Sequence, residues 1–519
     1  DPRAPDLPAS TPTGKPAGVF VLARSNGPPG LLDDRMFSCP TPQDAIARLE
    51  DLHAQAVSAQ RVALDAFIKS GRQPRPAERA TWRYPLLRAA YHPDGPPPAN
   101  ARAFAKFSEA GVYETTVTQP AAFGPYLIEQ LTPLVEEYGA TLEVGVSEQE
   151  IPYPYVLDGG DELGAGDIPP AELARWFPTP NLAAIGDEIA DGLWEHAPGA
   201  PFPLALFDAP RVDFSLRRIV HYTGTPWQAV QPWILFTNYQ RYVDEFVAWA
   251  IGRLRDPASG YDRLVASGGV VVTAQTADDE AAERVNAAPW RKHQMPAYHL
   301  LGEGRDGISL VNIGVGPSNA KNITDHLAVL RPHCWLMIGH CGGLRQSQRI
   351  GDYMLAHAYL RQDRILDALV PPDIPIPAIA EVQVALQAAA ADVTGDRGEE
   401  LKRRLRTGTV VTNDDRNWEL RYSQEKRRIN QSRAIGVDME SGTIAAQGYR
   451  LRVPYGALLC VSDKPLHGEI KLPGAANAFY QRAISEHLKI GIAAVERLQA
   501  SGDSLHSRKL RAFDEPPFR

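Results

Sequence analysis

The stretch Leu458-Leu-Cys-Val-Ser-Asp-Lys464, LLCVSDK, takes four apolar residues into a Ser-Asp-Lys turn that Pro465 closes. An apolar run of that length, bounded by turn residues, reads as a buried β-strand. Its carboxyl end would set Asp463 at the rim of a sheet, which is where open α/β sheets bind their ligands. Asp463 is then either a cap for the turn or a functional carboxylate, and the rest of the chain has to decide between the two.

Outward from this strand the same texture recurs from about residue 215. PWILFTN precedes YQRYVDEFVAWAIGRL, ISLVNIGVG precedes PSNAKNITDHLAVL, CWLMIGHCGG follows, and YGALLCVSD precedes a long helix from about 475. Strands alternating with helices imply an α/β domain whose mostly parallel or mixed sheet is covered on both faces. The first half reads differently. TPQDAIARLEDLHAQAVSAQRVALDAFIKSG repeats its apolar residues at three and four spacing, with Thr41 and Asp44 to start a helix and Gly71 to stop it. GVYETTVTQP and ATLEVGVSEQ alternate as strands do, and the connections between about 151 and 210 are rich in Pro and Gly. The expected organisation is a disordered leader over 1–40, an α+β domain over 41–210 and an α/β domain over 211–519 that holds the chemistry.

A chain of 519 residues exceeds one ordinary core, and 44% hydrophobic with 22% charged residues is the composition of a soluble globular protein. No apolar stretch reaches the roughly 18 residues of a membrane span, and the N-terminal residues lack the basic and apolar regions of a secretory signal, so the expectation is a cytoplasmic protein that binds no membrane. With 62 acidic against 54 basic residues the net charge is −8, which argues against nucleic-acid binding and requires local basic residues for any anionic ligand. Cys39, Cys334, Cys341 and Cys460 show no CxxC spacing, so neither a disulfide framework nor a metal site is expected.

Three further stretches carry chemistry. In VNIGVGPSNAKN (311–322) a strand breaks at Gly314 and Gly316 before a helix that opens with Pro317 and Ser318, leaving backbone N–H groups free for phosphate or ribose oxygens. Asn319 stands where a dinucleotide loop has its third glycine. In IGHCGGL (338–344), His340 and Cys341 are neighbours on a strand and point to opposite faces, which disfavours a nucleophile pair and favours contact of the strand end with a sugar or phosphate. In IGVDMESGTIAAQ (435–447), Glu440 begins a small-residue helix, either as a partner of its dipole or as an acceptor for two neighbouring hydroxyls.

Taken in order, GVGPSN, GHCGGL, VDMES and VSDKP resemble the nucleoside phosphorylase superfamily. HYTGTP, FTNYQRYVDEF, KHQMPAYHL, TGTVVTNDDRNWEL and VSDKPLHGEIKLPG resemble, more closely, the AMP nucleosidase family, and the likeness runs from the helix at 41 to residue 519, with IPYPYVLDGG in the first domain. The resemblance implies a three-layer catalytic domain with a central mixed sheet. It implies hydrolysis of AMP to adenine and ribose 5-phosphate with no cofactor for the chemistry, activation by MgATP and inhibition by phosphate through the first domain, and a homo-hexamer. No GxxxxGK[ST] loop marks where MgATP would bind.

By the same resemblance Asp463 protonates purine N7. This needs a carboxyl with a raised pKa, for which ALLCV offers a desolvating wall. Glu440 holds the ribose 2′ and 3′ hydroxyls with Met439 under the sugar. Gly316 and Ser318 form the glycine loop, while His340, Cys341 and Gly342 line the ribose and phosphate region. Trp418, or Asn417 beside it, contacts the base. The 5′-phosphate falls to some of His221, Arg241, Lys464, His467 and Lys471. One departure matters: phosphorylases carry a Gly-Asp-Pro turn where this chain has Asn238-Tyr-Gln, with Arg241 kept at the arginine position. That change favours water as nucleophile over the alternative, a purine nucleoside phosphorylase using inorganic phosphate. A silent nucleotide sensor would be expected to lack Asp463 or Glu440, and both are present.

Overall fold

The computed structural model describes residues 36–99, 102–157, 168–469 and 476–519. Its first helix, Pro42–Ser70, begins and ends where its local chemistry dictates. The Thr41 hydroxyl accepts the Asp44 N–H at 3.1 Å, and Gly71 closes the last turn in the left-handed region with its N–H on the Phe67 carbonyl. The apolar face of this helix covers a five-stranded sheet ordered β1-β4-β2-β3-β5, made of β1 (Phe37–Cys39), β2 (Arg83–Tyr91), β3 (Gly111–Thr116), β4 (Thr141–Glu150) and β5 (Phe202–Pro203). The expected leader is therefore shortened at its end: Phe37–Cys39 is an edge strand, antiparallel to β4. The rest of that leader, residues 1–35, lies outside the described residues.

The second sheet has ten strands. In sequence they are β6 (Trp233–Thr237), β7 (Tyr261–Ala266), β8 (Val270–Thr273), β9 (Ala297–Gly302), β10 (Ile308–Asn312), β11 (Cys334–Gly343), β12 (Tyr353–Gln362), β13 (Leu405–Asn413), β14 (Gly436–Asp438) and β15 (Tyr455–Asp463). Their order is β14-β13-β12-β15-β11-β6-β10-β9-β7-β8. The central strands β10, β6, β11 and β15 are mutually parallel, so their carboxyl ends share one rim. They read as near-continuous apolar runs because helices cover both their faces. Helices Ala209–Thr223, Pro317–Leu327 and Ser441–Leu451 pack together as one layer, and Gln240–Leu254, Ala380–Thr394 and Ala476–Gln499 as the other. This is the expected mixed α/β architecture.

The sheet also curls on itself. β14 pairs with β13 and, antiparallel, with β11, placing Val437 opposite Gly342. Strands β11, β15, β12, β13 and β14 thus form a closed ring, and closure carries the residues that follow β14 to the rim where β11 and β15 end. The two sheets share a hydrophobic core, in which Leu87 and Val144 of the first belong to the same cluster as Leu235 and Leu458 of the second. All four cysteines are buried free thiols. No helix of the described residues is long and apolar enough to cross a membrane.

Helix Ser441–Leu451 lies close to β15 at Gly448, where a Cβ would sit 2.4 Å from Tyr455 Cδ1 and 2.7 Å from the Val453 carbonyl oxygen. A backbone oxygen cannot swing aside as a side chain can. Gly448→Ala is expected to lower stability by about 1–3 kcal/mol, read from its urea midpoint; an unchanged midpoint would show that the helix is free to move off the strand.

Candidate active site

The rim collects the ends of β6, β10, β11 and β15 with the turn after β14. After β10 the chain passes Gly314 (φ 67°) and Gly316 (φ 115°, ψ 152°) before helix Pro317–Leu327 starts. The Gly316 conformation is accessible essentially to glycine alone. It aims the Gly316 N–H at Glu440 Oε1, at 2.6 Å. The other carboxylate oxygen, Oε2, accepts Asn238 Nδ2 at 3.2 Å from the end of β6. Glu440 is only 1% exposed and precedes helix Ser441–Leu451. Asp438 caps that helix, accepting the Ser441 N–H at 2.7 Å and the Thr412 hydroxyl at 2.7 Å. Burial, reinforced by the negative charge of Asp438, pushes the Glu440 carboxyl well above the usual range, while the Gly316 and Asn238 donors pull it back. Burial raises Asp438 too.

Asp463 ends β15 and is half-buried. A bulge between Cys341 and Gly342 skips Ser462, so Asp463 faces Gly342 across the strands. Bulges re-aim side chains in this way. The Ser462 hydroxyl lies 2.6 Å from Asp463 Oδ1, within donating distance, and 3.3 Å from the Cys341 carbonyl. Tyr239, in the turn after β6, joins the two halves of the site: burial, and then the charges of Glu440 and Asp463, push its phenol up to about 12. Its ring lies 4.5 Å from that of His340, which Tyr242 flanks on another side at 5.6 Å. Cys341 is buried, Met439 half-buried, and Ser318 exposed on the first turn of its helix.

The structure thus assembles Glu440, Gly316, Asp463 and Gly342 around one rim, with His340 beside Tyr239. The remaining expectations fare differently. Trp418 is 7% exposed and packs with Leu344, Val411, Ile429, Ala434 and Val437. Lys464, 5% exposed, is ion-paired to Glu469 and is therefore committed within its own turn. His467 reaches the Leu344 carbonyl at 3.3 Å, and Lys471 lies outside the described residues. Arg241 is exposed at the start of helix Gln240–Leu254, and His221 is exposed at the end of helix Ala209–Thr223 with its ring on Tyr222. Sequence reasoning treated Asn238 and Tyr239 only as a departure from a known turn. Their position at the end of an apolar strand, the signal that picked out Asp463, would have marked both.

Comparison with known proteins extends these observations. Residues 44–201 match the family model of the bacterial AMP nucleoside phosphorylase N-terminus, and residues 267–496 match that of the phosphorylase superfamily. The AMP nucleosidases of Escherichia coli K12 and of E. coli O157:H7 are each 59% identical over 481 residues, covering 92% of this chain and 98% of theirs. Among solved structures, an AMP nucleosidase from Bacteroides thetaiotaomicron is 26% identical, covers 56% of this chain and 98% of its own, and has a TM-score of 0.39. A uridine phosphorylase from Vibrio fischeri is 14% identical over 52% of this chain and 92% of its own, with a TM-score of 0.37.

A carboxyl whose pKa rises on folding favours the folded state while it is protonated, and that contribution is lost as pH climbs from the ordinary carboxylate range through the raised value. Glu440→Gln removes this pH-dependent cost. It can keep the Gly316 bond, and Asn238 Oδ1, buried without a partner among the described residues, can accept the new amide once Asn238 flips. The variant is expected to gain in urea midpoint over the parent as pH rises from 5 to 9. A constant offset across that range would show that the carboxylate is not destabilised by its burial.

Proposed function

The chain belongs to the AMP nucleosidase family, and on that premise we propose that it hydrolyses the N-glycosidic bond of AMP to give adenine and ribose 5-phosphate. The observation that carries this reading is the meeting, at one rim, of Glu440 held by the Gly316 N–H and Asn238 with Asp463 at the end of β15. Adenine leaves poorly as an anion. Asp463 donates a proton to N7 as the bond between C1′ and N9 breaks, so the electron pair departs on a neutral purine. Glu440 accepts hydrogen bonds from the ribose 2′ and 3′ hydroxyls and holds the oxocarbenium-like sugar in place for attack. Water adds to C1′ and passes a proton to the solvent, from which Asp463 is reprotonated, so the acid is restored. The turn Asn238-Tyr239-Gln240 replaces the glycine turn that would cradle a phosphate nucleophile, which supports water in that role.

Arg241 and His221, both exposed, are candidates for the 5′-phosphate, with His221 at a position similar to a family histidine that reaches into the neighbouring subunit's site. The proposal extends to a cytoplasmic homo-hexamer that needs no cofactor for its chemistry and is activated by MgATP and inhibited by phosphate through the N-terminal domain.

The decisive experiment is adenine release from AMP in phosphate-free buffer, with and without MgATP, while the sugar product is identified. Ribose 5-phosphate without added phosphate is expected, formed faster with MgATP and far less efficiently when adenosine replaces AMP; a requirement for phosphate would make the enzyme a phosphorylase. Asp463→Asn is expected to lower kcat by about 10²-fold or more with little change in KM, since an amide can hydrogen-bond but cannot supply the proton. Near-normal turnover of that variant would remove Asp463 as the acid.

A further inference from the structure

Helices Pro317–Leu327 and Ser441–Leu451 pack side by side. At their amino ends they are joined by the bond from the Gly316 N–H to Glu440. At their carboxyl ends, about 15 Å away at 1.5 Å per residue, they are joined again: Arg450 Nη1 donates to Asp325 Oδ1 at 3.1 Å and Gln447 Nε2 to the same oxygen at 2.5 Å. Neither Arg450 nor Asp325 stands near the rim, yet each lies on a helix whose first residue adjoins the candidate sugar site.

Two carboxylates from elsewhere complete this far junction. Asp187 and Asp191 lie on a turn in the segment that precedes β5 of the first sheet, held by the Asp191 N–H on the Asp187 carbonyl at 2.8 Å. Arg450 Nη2 reaches Asp187 Oδ2 at 2.9 Å and Asp191 Oδ2 at 3.1 Å, while its Nε also pairs with Asp191. Arg211 binds Asp187 at 2.7 Å and the Asp325 carbonyl at 3.0 Å, and Lys321 pairs with Asp325 at 2.5 Å. The side chains of Arg450 and Asp191 are 4% and 9% exposed. Buried charges of this kind add little net stability but tolerate few geometries, because each must keep its partners.

We propose that Asp187 and Asp191, acting through Arg450, are positioning residues for the Gly316–Glu440 pair, so that the N-terminal part of the chain sets the geometry of the sugar-binding carboxylate from the far ends of the two helices. The proposal rests on the functional reading above for its substrate and deepens it by assigning the N-terminal part a structural route to the site. Helices are stiff, so a shift at the Arg450 end is carried to the Glu440 end, and a displacement of about 1 Å at a reacting centre can cost 10²-fold.

Two measurements test it. The first is the ratio of kcat/KM for AMP to that for 2′-deoxy-AMP in the full-length parent, in Asp191→Asn and in Glu440→Gln. Loss of positioning lowers the ratio toward that of Glu440→Gln, with an expected fall of about tenfold in Asp191→Asn. A merely structural role lowers both substrates in proportion and leaves the ratio unchanged, which would overturn the proposal. The second requires no activity: a double-mutant cycle of Asp191→Asn with Glu440→Gln in urea unfolding. Distant independent sites add, so non-additivity is expected here and strict additivity would overturn the coupling even if AMP proved not to be the substrate. Should Asp191→Asn not fold, Asp187→Asn, which also leaves Arg450 two carboxylates, carries both measurements.

Discussion

The hydrogen bond from the Gly316 N–H to Glu440 Oε1 is the contact on which the rest of the site depends. A carboxylate 1% exposed would be strongly disfavoured without donors, and the Gly316 N–H and Asn238 both donate to it. That requirement explains several features together. Gly316 must be glycine because its backbone has φ 115°. β10 must end level with β6, as the register Asn312 opposite Thr237 shows, so that the loop and Asn238 reach the same carboxylate. The ring of strands must close through β14 on β11 to bring Glu440 there at all.

The two acidic residues of the site occupy different surroundings. Glu440 is enclosed, near Asp438, and bonded from two sides. Asp463 ends a strand beside a bulge, half-buried, with the Ser462 hydroxyl as its near neighbour. Tyr239 and His340 pack between them and the start of helix Gln240–Leu254, lending the rim a rigid aromatic wall.

Around this centre the N-terminal part of the chain is continuous with the catalytic layer. It shares the hydrophobic core, and it sends Asp187 and Asp191 onto Arg450. The shared apolar core contributes the larger part of the stability, while buried ion pairs tolerate few geometries.

By itself, the sequence determined whatever depends on neighbours along the chain. Thr41 and Gly71 bound the first helix because capping is local, the central strands announce themselves as apolar runs because both their faces are covered, and Asp463 and Glu440 stand out because each ends such a run or begins a small-residue helix. Tertiary structure decided the partnerships: Asn238 with Glu440 across 202 residues, Trp418 turned into a core with Leu344 and Val437, and Arg450 joined to Asp191 across 259 residues. None of these leaves a mark in local periodicity. A side chain's hydrogen-bonding and packing partners follow from how distant segments are brought together, and a given Trp, Lys or Asn is chemically equally fit for a ligand or for a neighbour until the fold assigns one.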